Sequence, residues 1–172
     1  MNTLAFLSIR VLHVLLAAIW LGIAFFVSFF LGPALGESGV AGGQVMAALG
    51  RRGTQKFIPS VAGLTVLSGL WLYWRFTGGF EPAVSRTPAG MAFGIGGVAG
   101  LIAAIVGGAV VSRGTKRMAE LGGQVVSLPD GADRAATMRA LDAVRRRVDV
   151  GAKVVLLFMV IALALMTVGH YI

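Results

Sequence analysis

Residues 11–35 read VLHVLLAAIWLGIAFFVSFFLGPAL, a run with one histidine, one serine and no charged residue. As a helix rising ~1.5 Å per residue, such a run exceeds the ~30 Å of hydrocarbon in a bilayer. Residues 4–9 add two helical turns before it, with Arg10 placed to snorkel its guanidinium to the interface. Three further apolar runs, at 57–75, 91–112 and 150–172, are each long enough to cross. The fold class that follows is all-α: an integral membrane up-down four-helix bundle, one domain over residues 1–172 with spans at about 4–35, 57–75, 91–112 and 150–172.

Composition points the same way. Of 172 residues 57% are hydrophobic and 13% charged, against the ~25% charge of soluble domains. The chain has no cysteine, which excludes disulfides, iron–sulfur clusters, thiolate-held haem and a cysteine nucleophile. A net charge of +8 is compatible in principle with nucleic acid. The bases, however, sit beside the apolar runs, where membrane topology and anionic lipids account for them; no nucleic-acid partner is expected. Met1-Asn2-Thr3 carries no basic leader and the first apolar run is too long for a signal core, so it reads as a retained span.

Charge sets the expected orientation. Arg51, Arg52 and Lys56 lie between the first two spans, and Arg113, Lys116, Arg117, Arg134, Arg139, Arg145, Arg146, Arg147 and Lys153 between the last two. The opposite side has only Arg10, Arg75 and Arg86. The positive-inside rule then puts both basic connections in the cytoplasm and both termini outside, in a cytoplasmic (inner) membrane.

Local signals refine this outline. Pro59 is read in the first turn of the second span, and Trp71, Tyr73 and Trp74 form an interfacial aromatic group at its end. In the third span, small residues recur every fourth position at Ala92, Gly96, Gly100, Ala104 and Gly108, a surface for a neighbouring helix or a flat ligand. Pro129-Asp130-Gly131 predicts a turn, and Asp133 a cap for an amphipathic cytoplasmic helix that carries Arg139, Arg146 and Arg147 on one face and continues into the fourth span. A shorter helix of the same kind is expected over residues 40–49.

His13 and His170 are the only histidines. A histidine in an apolar helix is costly unless its ring nitrogens find partners, so His13 marks either a ligand site or a hydrogen bond to the next span. His13 shares a face with Ala17, Trp20 and Ala24; Met159, Met166 and His170 follow at spacings of seven and four. If the first and fourth spans are neighbours, the two imidazoles lie at similar depth near the outer face. They are then candidate axial ligands of haem b, with Trp20, Gly96 and Gly100 lining the macrocycle. His13, His170 and Met166 form instead a soft nitrogen and sulfur set suited to copper, and packing without any metal is the third possibility. No hydrolase, zinc-protease or nucleotide-binding motif is present, and all seven acids fall outside the apolar runs.

Arg10-Val11-Leu12-His13 with Ala18-Ile19-Trp20-Leu21-Gly22 resembles the first helix of CopD-like copper-resistance membrane proteins, and TVLSGLWL at residues 65–72 resembles their second. A similar first helix occurs in HemJ-like protoporphyrinogen oxidases, which bind haem. From that likeness His13 alone carries over as a possible ligand; the lysine expected in the third helix of the HemJ group has no counterpart between residues 91 and 111, which argues against that activity. The resulting expectation is a small membrane haem b protein in electron transfer, with a redox partner. Copper binding or transport is the alternative, and a structural or partner-binding subunit, possible as a homo-oligomer, the third.

Overall fold

The computed structural model describes residues 3–172, so Met1 and Asn2 of the retained-span reading lie outside it. Among the described residues every regular element is a helix: α1 (Thr3–Glu37), α2 (Gly39–Arg51), α3 (Thr54–Phe76), a single turn α4 (Pro82–Ser85), α5 (Pro88–Ser127) and α6 (Ala132–Val168). Four of these, α1, α3, α5 and α6, are long and apolar enough to cross a membrane.

Two of the long helices widen into π turns, at Val27–Leu31 in α1 and at Gly107–Ser112 in α5. Pro33 has no N–H to give the carbonyl four residues back, and its ring crowds that carbonyl. The preceding turn expands, and Gly32 N–H bonds Val27 O, five residues back. In α5 the π turn starts at the Gly107-Gly108 pair, a weak point for helix geometry.

The ends have local causes too. Thr87 caps α5 by accepting from Gly90 N–H at 3.0 Å, with Pro88 in the first turn. Gly53, at φ 83°, supplies the left-handed residue between α2 and α3. The α6 helix begins at Ala132 after Gly131, so Asp133 is not its cap: it lies inside the first turn, where its charge suits the helix dipole. Similarly, α3 starts at Thr54, which puts Pro59 inside the helix rather than in its first turn.

One buried cluster ties the four long helices together: Trp20 of α1, Val61 of α3, Ala103 of α5, and Val155 and Met159 of α6. The helices touch in chain order, and α6 also returns to α1; the α5–α6 contact is the most extensive and α6–α1 the least. Small residues account for the α5–α6 contact. Ala92, Gly96, Ala99 and Ala103 are buried on α5, at alternating steps of four and three. The stripe read at every fourth residue leaves this line, because four residues turn a helix by ~400° and each step drifts ~40°. Gly100 and Ala104 are half-buried and Gly108 is exposed.

The outer surface of this bundle is apolar. Only 11% of the most apolar window of α1 is buried, while Leu4, Val11, Leu15, Phe26 and Phe30 are among its exposed side chains. Beyond the bundle the basic ends of α5 and α6 pack on each other. Leu121 is buried there, and Val148 occupies the space a side chain on Gly114 would need. The helices of the third and fourth apolar runs extend past 112 and start before 150, and these ends form a two-helix stalk joined by the turn at Pro129-Asp130-Gly131.

Candidate functional site

His13 is built into the seam between α1 and α3. Its Nδ1 lies 3.0 Å from Thr65 O and 3.0 Å from Ser68 Oγ. A backbone carbonyl only accepts, and the Ser68 hydroxyl donates its proton to Leu64 O at 2.7 Å. Nδ1 must therefore carry the hydrogen and donate to both oxygens, which leaves the Nε2 lone pair free of any hydrogen bond among the described residues. Metal-ligating histidines are held in the same way, with one ring N–H fixed on a carbonyl so that the other nitrogen points to the metal.

Gly69 makes this placement possible. A β-carbon at that position would lie 2.8 Å from His13 Cε1, closer than carbon atoms approach. The imidazole thus lies against bare α3 backbone. Thr65, Ser68 and Gly69 fall in the 65–72 stretch quoted for its family likeness, but their part in holding His13 escaped the sequence. Ser68 and Gly69 carry a side-chain signal, a hydroxyl beside a glycine on the helix that packs against α1; Thr65 carries none, because it contributes only its backbone carbonyl.

His170 has a different setting. The α6 helix stops at Val168, and His170 N–H bonds Thr167 O in a tighter turn. His170 thus lies two residues beyond the helix that carries Met159 and Met166. The side chain is exposed; its ring meets Phe93 edge-on at 5.3 Å, and Arg10 of α1 donates from Nη2 to His170 Nε2. Arginine is only a donor, so that Nε2 lone pair is already engaged. The structure does bring His170 to the α1 end that carries His13, but it ties His170 to Arg10.

The remaining candidates divide as follows. Trp20, 5% exposed, fills the central cluster. Gly96 is covered by α6: a β-carbon there would lie 3.3 Å from Ala162 O and 3.3 Å from Met166 Cγ. Gly96 and Met166 are thus brought together, in helix packing that occupies the surface read as a seat for a flat ligand. Gly100 is separate from both, with open space beside it. Among the described residues no group of three or more histidine, aspartate or glutamate side chains converges.

Comparisons with protein-family models, with curated proteins and with solved structures find no match to this chain.

Proposed function

We propose that the chain is an integral protein of the cytoplasmic membrane, an up-down bundle with both termini outside and the basic stalk in the cytoplasm, that holds haem b through His13 and serves electron transfer. The apolar outer surface and the placement of twelve of fifteen bases on one side support the orientation. The register of α1 and α3 supports the up-down arrangement. Trp20, seven residues after His13, shares a cluster with Val61, seven residues before Ser68, as antiparallel neighbours require. The stalk's bases then meet anionic lipid headgroups.

The observation that carries the ligand assignment is the bond from His13 Nδ1–H to Thr65 O, which fixes the tautomer and leaves Nε2 able to coordinate. Haem bound there would take up and release one electron near the outer face. The fit concerns His13 alone, since His170 Nε2 is engaged by Arg10 and Gly96 is covered by Met166. His13 would then be the one side chain of the proposed set that holds the group.

The test is the spectrum and metal content of the purified wild type, His13→Ala and His170→Ala. The expected result is a Soret band in the wild type and in His170→Ala that is lost in His13→Ala. Stoichiometric copper without that band reassigns the site to copper. Absence of both from the wild type overturns the ligand reading.

A partner-binding role is the second reading, supported by the glycines that turn away from the α5–α6 contact. A β-carbon at Gly97, Gly100 or Gly108 meets nothing within 4 Å. Small residues on a lipid-facing surface allow close approach of another helix, in a second copy or a different subunit. Disulfide crosslinking of a Gly100→Cys variant in membranes tests it; a monomeric protein with no crosslinked product removes it.

A further inference from the structure

Among the described residues three side chains are both polar and buried: Ser28, Thr65 and Thr77. Thr65 Oγ1 donates to Val61 O at 2.8 Å and Thr77 Oγ1 to Tyr73 O at 2.9 Å, each to the carbonyl four residues back. Ser28, 9% exposed, has no hydrogen-bond partner. Ser28 is the second residue of the π turn Val27–Leu31, whose closing bond runs from Gly32 N–H to Val27 O, five residues back.

We propose that Ser28 and this π turn form a binding site for ordered water on the cytoplasmic side of the bundle. A hydroxyl without a partner is unfavourable in hydrocarbon, where nothing replaces the lost hydrogen bond. A buried water typically needs two to four polar partners. Ser28 Oγ would provide one, and backbone carbonyls of the widened turn the others. The depth suits entry of water. Ser28 lies eighteen residues after Arg10, or ~27 Å along the helix and close to the far edge of the ~30 Å hydrocarbon layer. The second π turn, Gly107–Ser112, packs on α6 as the first one does, so both loosened backbones border the same helix. Water fits better than a cation. No acid lies within the apolar runs, and Asp149, on the α6 segment leading into the bundle, is bonded by Lys153 at 2.8 Å.

The site rests on the proposed topology only for its depth. Glu37→Cys labelling by an impermeant maleimide, expected only from the cytoplasmic side, tests that topology separately. The site itself is tested by the sign of a stability change. Ser28→Ala removes a partner from a bound water but removes a burden from a dry site, so the full-length variant in detergent is expected to melt lower by roughly 2–4 °C. An unchanged or higher Tm overturns the proposal. Solid-state NMR of the wild type in bilayers gives an independent check: rapid magnetisation transfer from water to Ser28 is expected, and Ser28 transfer as slow as that of lipid-facing Leu15 overturns the site whatever the variant does.

Discussion

His13 and His170 lie toward one end of the bundle, yet the protein treats them differently. The first is inside a helix seam: its Nδ1–H is shared by two oxygens of α3, and Gly69 has no side chain to displace the ring. The second follows the end of α6, exposed, with Nε2 on Arg10 and its ring edge on Phe93. Nearness to one end of the bundle is therefore a poor guide to whether a histidine can act as a ligand. The decisive property is which nitrogen the scaffold leaves free. In His13 a carbonyl fixes the hydrogen and leaves a lone pair; in His170 a guanidinium takes the lone pair.

The strongest way to break this contrast is to fill the space beside His13. Gly69→Val places a branched side chain where Cε1 now lies, expelling the imidazole and separating α1 from α3; overpacking of this kind is expected to cost about 3 kcal/mol. The melting temperature should fall, and the Soret band expected of the proposed haem site should be lost with it. If the variant keeps both, the seam is looser than the contact implies, and Gly69 does not define the site.

Next in size is a change at the α6 end that leaves both histidines in place. Gly96→Val pushes against Ala162 O, Met166 and Leu165 and is expected to cost about 2 kcal/mol, since one of the three neighbours is backbone and cannot rotate away. Gly100→Ala, with open space beside it, should leave the melting temperature unchanged or slightly raised. Equal losses at the two glycines in denaturation would contradict the finding that only Gly96 belongs to the packed face.

Much of the fold was legible because its strongest signal is simple. Long uncharged runs have to be helices if they cross hydrocarbon, and proline, glycine and charge mark where those helices turn. The missing parts depend on angle and pairing. Gly96 and Gly100 look equivalent in a stripe at every fourth residue, but a helix turns ~100° per residue, and the stripe drifts off the buried face. His170 follows Met159 and Met166 at helical spacing, but α6 ends at Val168, and its pairing with Arg10 depends on the path of the chain after that end. At His13 the sequence exposed the need for a partner without identifying one. Thr65 and Ser68 are distant in sequence, and only the register of α1 against α3 brings them to the ring.

His13→Ala is expected to cost about 1 kcal/mol in stability, a smaller effect than Gly69→Val or Gly96→Val. It deletes two hydrogen bonds, but Ser68 still donates to Leu64 O, and Thr65 O remains inside α3, so no acceptor is stranded without a helical partner. Cofactor loss should therefore occur in a protein that remains folded. That separation sharpens the comparison: a ligand role predicts a spectral change much larger than the stability change, whereas a purely structural histidine predicts the reverse.

The smallest effect is expected at the other histidine. His170→Ala removes a contact between two exposed groups and an edge-on contact with Phe93, beyond the last turn of α6. Such surface interactions contribute little because water can replace them, so stability should change by no more than ~0.5 kcal/mol. The spectrum should stay the same, and Arg10 should become solvated. A loss of ~2 kcal/mol or more would mean that Arg10, Phe93 and His170 together fasten the end of α6 to α1, where the direct α1–α6 contact is the smallest among the four long helices. His170 would then be a structural clamp rather than a loose end. It would still not be a ligand, because the interaction that made it important would be the one occupying its lone pair.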